Sequence, residues 1–515
     1  MRYAGLLGVV FSMAVLAACG GRPSPTVGDG SVDAAAPDAL DASTAKGFTS
    51  FAFLVANNPA LAADVDAPIA GTAISAKLPF VDVTGLKATF TTTGASVAIG
   101  GAAQVSGVTA NDFTRPVTYT VTAADHSTMD FTVTASDGLL APVAFPTGAN
   151  PDSVAIADVN VDGKPDLAVV NASGGTVSIF LDTTGSGATT PTFAAKLDLS
   201  AIASSVAMGD LNGDGEPDLV VVVPGTAVSV FLDTTTSGAT TPSFAAKVDF
   251  AAGLGAGSVA IADLNGDGEP DLAVVNACSN AEPGCSNSIS VFLNTTAPNA
   301  TTPSFAAKVD FPTAATNGYG ASLAIADLNG DGKPDLAYAN GSANRASVFL
   351  NTTPTGATTP SFAANVDFTT GSGTGTTAEV GDLNGDGKPD LVVANGSSNT
   401  ISVLFNTTST GATIPSFAAK VDFPTGTSPF GVAIADFNGD AKPDLVVPDY
   451  SANTVSVFMN TTAALATTPT FAAKVDFPTG ASPFSIALGD FNSDGKPDIA
   501  VANVGSSTVS VLLHQ

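Results

Sequence analysis

From about residue 150 to the C-terminus the apolar residues fall into short runs of strand type, and the order of the runs repeats. Ser258-Val-Ala-Ile-Ala-Asp263 and Asp271-Leu-Ala-Val-Val275 alternate small and β-branched residues on either side of an acidic turn, which predicts a hairpin. A third run follows, as in Thr176-Val-Ser-Ile-Phe-Leu181 or Ile289-Ser-Val-Phe-Leu293. After a Thr/Gly/Pro-rich connection a fourth reads Phe244-Ala-Ala-Lys-Val-Asp-Phe250 and recurs from Phe305, Phe362, Phe417 and Phe471.

Four strands per unit predict a propeller blade, and the units are spaced 52, 53, 64, 55, 54 and 54 residues apart. The last unit stops after its third strand, Thr508-Val-Ser-Val-Leu-Leu513, and a matching fourth strand, Ala141-Pro-Val-Ala-Phe-Pro-Thr-Gly148, stands before the first unit. Pairing the two ends hides the edges that an open array would expose, so the expected fold is all-β, a seven-bladed β-propeller over residues 139–515.

The acidic turn is a nine-residue pattern, and its positions 1, 3, 5 and 9 carry candidate ligands. These are Asp158, Asn160, Asp162 and Asp166; Asp210, Asn212, Asp214 and Asp218; Asp263, Asn265, Asp267 and Asp271; Asp327, Asn329, Asp331 and Asp335. The last three copies are Asp382, Asn384, Asp386 and Asp390; Asp436, Asn438, Asp440 and Asp444; Asp490, Asn492, Asp494 and Asp498. Three carboxylates and an amide oxygen, with a main-chain carbonyl such as that of Glu216 at position 7, suit Ca2+, a hard cation that takes six to eight oxygens. The expected cofactor is therefore calcium, up to seven ions. An EF-hand or dockerin loop would need an acid at position 12, where this chain has Val169, Val221, Val274, Tyr338, Val393, Val447 and Val501. The bland reading is an acidic turn without a metal.

These repeats resemble the calcium-bearing repeats of integrin α-chain propellers in their bacterial FG-GAP and VCBS form. The resemblance spans residues 139–515 and rests on the aspartate loops; the Phe-Gly pair stands at Phe430-Gly431, and the Gly-Ala-Pro element is absent. It implies a seven-bladed scaffold with calcium loops on one rim, without the integrin ligand residues.

Upstream, residues 1–19 resemble a bacterial lipoprotein signal: Arg2, an apolar run from Leu6 to Leu16, then Leu16-Ala17-Ala18-Cys19. Cys19 is the expected lipidated residue, and the expected location is extracytoplasmic, lipid-anchored at the bacterial outer membrane or cell surface. Residues 20–46, rich in Ala, Asp, Pro, Gly and Ser, read as a disordered tether. Residues 47–138 read as a separate β-sandwich, with strands at Phe48–Phe53 and Leu86–Phe90 and a hairpin of Val117–Val121 with Phe131–Val133. That segment resembles the immunoglobulin-like modules of bacterial surface proteins, which act as spacers. Cys278 and Cys285 lie in one loop and are expected to form a disulfide in such a compartment.

The net charge of −29 argues against nucleic acid or an anionic surface as partner. The chain has two histidines, His126 and His514, which leaves no Ser-His-Asp arrangement in the propeller. A glycosidase-type carboxylate pair stays open, but the propeller acids are loop ligands or recur in register, as Asp249, Asp310, Asp367, Asp422 and Asp476 do. The chain is therefore read as a non-catalytic scaffold that recognises a surface protein or a glycan. Recognition is expected where the repeats differ, on the rim opposite the acidic loops, at Tyr319, Arg345, Phe430, Tyr450 and Phe484. A lectin with equivalent sites between blades is the alternative, together with an accessory of a polysaccharide-degrading system; the tyrosines do not repeat as equivalent lectin sites would require.

Overall fold

The computed structural model describes residues 44–515 except 60, 62, 79, 82, 84, 114, 137, 278–286, 314–321, 374–376 and 515. Cys19, Cys278, Cys285 and Tyr319, with the signal segment and almost all of the tether, lie outside the described residues.

The repeats build seven four-stranded antiparallel sheets. Sheet one consists of Pro151–Ala157, Asp166–Asn171, Thr176–Phe180 and Leu197–Ser200, and the next five follow in chain order. Sheet seven takes Pro483–Gly489, Asp498–Asn503 and Thr508–Leu512 from the C-terminal repeat and its outer strand, Val143–Pro146, from before sheet one. That pairing sets Val143 opposite Val511 and Pro146 opposite Thr508. First strands of successive sheets touch, and the seventh touches the first, so the array is a closed, propeller-like ring.

Seven apolar clusters fill the seven junctions, one between each pair of neighbouring sheets. Second strands are sandwiched on both faces, which is why Asp166–Asn171 and Asp271–Asn276 are buried throughout and read as apolar runs rather than alternating ones. Fourth strands are shorter than the sequence pattern indicates. Val248–Ala251 forms the ladder, while Phe244 makes a lone bridge to Asp233 and turns its ring inward.

Polar latches register four of the sheets, three to six, on the sheet before each. The Nδ2 of Asn294, Asn351, Asn406 and Asn460, just beyond third strands, donates at 2.8 Å to the carbonyls of Leu211, Leu264, Leu328 and Leu383 in the preceding sheet. Asp182 and Asp233 hold the same place in sheets one and two, where Oδ2 of each is buried without a partner and burial raises the carboxyl above its usual range.

Residues 48–136 form a three-stranded, a six-stranded and a two-stranded sheet around one core that contains Phe48, Phe51, Phe53, Phe113, Tyr119 and Phe131. The hairpin pairs Val117 with Val133 and Thr122 with Thr128, turning at His126 with φ 69°. Ala73–Lys77 adds in parallel to Thr128–Ser136.

Candidate functional site: acidic loops on one rim, an aromatic cluster on the other

Each acidic loop joins the first and second strands of its sheet and is closed largely by its own main chain. In the first, Asp158 accepts from the N–H of Asp162 at 2.9 Å and of Gly163 at 2.7 Å, and Asp162 accepts from Lys164 at 3.0 Å. Position 9 has a different environment. Asp166 is fully buried, and its two oxygens accept from Val159 N at 2.9 Å and Asp182 N at 2.6 Å, so it ties the loop to the end of the third strand. All seven position-9 aspartates repeat this double anchor, ending with Asp498, which binds Phe491 N and His514 N. Burial pushes Asp166, Asp218, Asp335, Asp390 and Asp498 up to about 7, against the N–H bonds that favour the charged form.

The donor set is that of a hard-cation site: oxygens only, with seven buried carboxylates that have no Lys or Arg partner among the described ion pairs. Asn160 Oδ1 is also buried without a partner. A divalent ion beside such a carboxylate would stabilise its charged form. Among the described residues no three acidic, His or Cys side chains are drawn into one metal-holding cluster, because positions 1 and 5 curl onto the loop's own N–H groups and position 9 faces inward.

Two positions of the loop need a left-handed backbone. Position 6 is Gly in six copies and Ala441, at φ 65°, in the sixth; position 4 is Gly in five and is Val161, at φ 49°, in the first and Ser493, at φ 51°, in the last. The strain is greatest for the β-branched Val161. Val161→Gly and Ala441→Gly are each expected to raise stability by about 1 kcal/mol, the strain relieved exceeding the entropy that glycine adds to the unfolded chain. Thermal unfolding of each variant checks this.

On the opposite rim the structure gathers three of the five candidate recognition residues. Phe430 precedes the first strand of sheet six, Tyr450 follows its second strand, and Phe484 lies in the first strand of sheet seven. Their rings meet with centroids 4.8 Å apart for Phe430 and Phe484, 5.1 Å for Phe430 and Tyr450, and 6.3 Å for Tyr450 and Phe484. All three are half-buried. Thr377, from the neighbouring sheet five, donates to the Phe430 carbonyl at 2.5 Å, and Tyr450 N donates to Ser428 O at 2.9 Å, so main-chain bonds hold two of the rings in place.

Arg345 is not part of this cluster. It opens the third strand of sheet four and pairs with Asp367 at 3.0 Å. In sheets one, two, three, five and six the equivalent aspartate pairs with a lysine two residues earlier, such as Lys247 with Asp249; in sheet four that residue is Asn365. Arg345 replaces the missing lysine from across the strand pair. Its singularity therefore has a structural cause.

Comparison with known proteins agrees with the repeat pattern. Residues 158–221, 210–274, 327–393 and 382–447 match the FG-GAP-like repeat, and residues 482–512 match the FG-GAP repeat. The chain carries FG-GAP repeats. Residues 51–135 match the N-terminal domain of SGBP. No curated protein matches the chain. Solved structures similar to it include BBS1N in complex with ARL6DN, at 11% identity over 73% of this chain and 97% of that one with a TM-score of 0.46. An Agrocybe aegerita lectin that recognises non-reducing terminal N-acetylglucosamine is 16% identical over 75% of this chain and 93% of its own, with a TM-score of 0.42.

Alignment of the FG-GAP repeats on their loops exposes one residue that sequence reading passed over. Three residues before the loop, six first strands carry alanine, at 155, 207, 260, 324, 433 and 487, and the fifth carries Glu379. Burial pushes this carboxyl up to about 7, and its Oε2 accepts from Val380 N at 3.2 Å. Glu379 is two residues from Thr377, which holds Phe430. Departure from the repeat was the signal that could have found it.

Proposed function

We propose that this chain is a non-catalytic recognition protein: a calcium-stabilised seven-bladed β-propeller, anchored at the cell surface, that binds a glycan through Phe430, Tyr450 and Phe484. The observation that carries the reading is the convergence of these three rings. They come from two sheets, Phe430 and Phe484 at the same position of consecutive repeats where the other five repeats have no aromatic residue, and they remain partly open to solvent. Aromatic faces offer rigid apolar area at low entropic cost and suit the C–H face of a sugar ring. The SGBP-type N-terminal domain supports a surface glycan system as the context. Protein recognition by the same cluster is the second reading, since Tyr and Phe anchors serve both.

The calcium part of the proposal assigns the ions to positions 1, 3, 5 and 9 of each loop, from Asp158, Asn160, Asp162 and Asp166 onward. There the ion supplies positive charge to closely spaced carboxylates and takes no part in chemistry. Anchoring through Cys19 is part of the same proposal.

A glycan array probed with the soluble chain lacking the signal segment tests the reading. Tyr450→Ala and Phe484→Ala are each expected to weaken binding about tenfold or more, as removal of a recognition anchor does, with the melting temperature nearly unchanged. Arg345→Ala is expected to leave affinity unaltered. Full binding by both aromatic variants would remove the cluster from consideration, and an empty array followed by capture of a protein through the same residues would select the second reading.

A further inference from the structure

Six of the seven junctions between sheets share a second latch on the rim of the acidic loops. The position-3 asparagine of one sheet donates its Nδ2 to a carbonyl in the connection between third and fourth strands of the next, as Asn160 does to Ala239 at 2.9 Å and Asn329 to Ala412 at 3.0 Å. Its main-chain carbonyl accepts an amide from that connection, Gly238 N at 2.6 Å and Gly411 N at 2.7 Å in the same two cases. The six asparagines that do this are buried. At the junction of sheets six and seven the connection does not exist, because sheet seven draws its outer strand from the other end of the propeller segment. Asn438 is accordingly exposed.

The same connection also brings a phenylalanine into the apolar cluster that holds position 2 of the preceding loop: Phe305 joins the cluster of Leu211, Phe362 that of Leu264, and Phe193 packs at 5.8 Å against Phe491. At the seam the bridge that Phe193 makes with Asp182 is made by Leu139 with His514. The missing aromatic ring comes from the N-terminal domain. Phe80 is 4% exposed, absent from that domain's own core, and packs at 5.7 Å against Phe437, 6.1 Å against Phe477 and 5.1 Å against His514. It does so with φ 52°, and Gly138, at φ 107°, leaves the space, since a Cβ there would sit 3.0 Å from the Phe80 ring. A bulky residue holds a left-handed backbone only where its surroundings enforce it.

We propose that the N-terminal domain is the clasp of the ring: Phe80, with Leu139, supplies at the open seam the contact that a strand connection supplies at the other six junctions. The domain thus closes the propeller rather than spacing it from its anchor, and the two bodies keep a fixed orientation.

Hydrogen exchange of the full chain tests this. Phe80→Ala is expected to speed exchange about tenfold or more at Phe437 N, Ala441 N and His514 N, the amides of the seam, as loss of a buried ring should. The equivalent amides of Leu264 and Leu328 should exchange as before. Should Phe80→Ala not fold, Phe80→Leu carries the same test with a smaller rise confined to the same amides. Unchanged exchange at the seam, or an equal acceleration at all junctions, would overturn the proposal.

Discussion

Chelation of calcium is expected to lower the melting temperature of the propeller by on the order of 10 °C or more, with full recovery in millimolar calcium. Extracellular calcium modules bind with a Kd of roughly 10⁻⁴–10⁻³ M, so at about ten times Kd each site contributes roughly 1.4 kcal/mol, and seven sites contribute on the order of 10 kcal/mol. Without the ion, the carboxylates of positions 1 and 5 share one tight turn and the buried position-9 carboxylate has no cation to favour its charged form. The chelated protein should therefore regain stability as the pH falls. A group whose pKa is raised in the folded state contributes stability below its unfolded value and loses it as pH rises through the folded one, here the window from about 4 to the value of about 7 for Asp166, Asp218 and Asp335. Calorimetric titration with calcium, and melting in EDTA at pH 5 and pH 8, measure both effects. No heat of binding together with an unmoved melting curve would mean that the loops are acidic turns closed by their own N–H groups, and the cofactor proposal would fail.

Replacement of a position-9 aspartate is expected to be the most damaging single change. Asp335 is fully buried and accepts from Leu328 N at 2.8 Å and Asn351 N at 2.6 Å. Asp335→Ala leaves two buried N–H donors without acceptors, at about 1–3 kcal/mol each, and the loss comes with or without calcium. Asp335→Asn keeps one acceptor oxygen and should recover about half of that stability. The pair separates two roles: if both variants unfold alike in EDTA but differ in calcium, the residue acts through the metal, whereas a difference that persists in EDTA assigns it to the main-chain anchor. Denaturant unfolding of the three proteins, each with and without EDTA, gives the comparison.

Most of the fold was legible because it is periodic and local. Strand, acidic turn and strand lie within a few residues of one another, and the period of about 54 residues multiplies a weak pattern sevenfold, so Asp158 to Asp498 and the exchanged outer strand Val143–Pro146 could be placed from spacing alone. What repetition could not convey was which departures from it matter. Arg345 and Tyr450 looked equally singular in the chain, yet Arg345 makes good a lysine lost at Asn365, while Tyr450 meets Phe430 of its own sheet and Phe484 across a sheet junction. Glu379 drew no notice, because a single acid in a run of alanines becomes visible only when seven strands are laid side by side.

The local chemistry of this protein, its loops, ladders and turns, is determined by the sequence by itself, since hydrogen bonds and backbone preferences act between near neighbours. Only the tertiary structure decided that position-9 aspartates anchor third strands, that three rings form one surface, and that Phe80 leaves its own domain to fill the seam. The first depends on how the strands of one sheet fold back on its loop, and the other two on which surfaces the closed ring brings within contact distance, closure being a property of all seven sheets together.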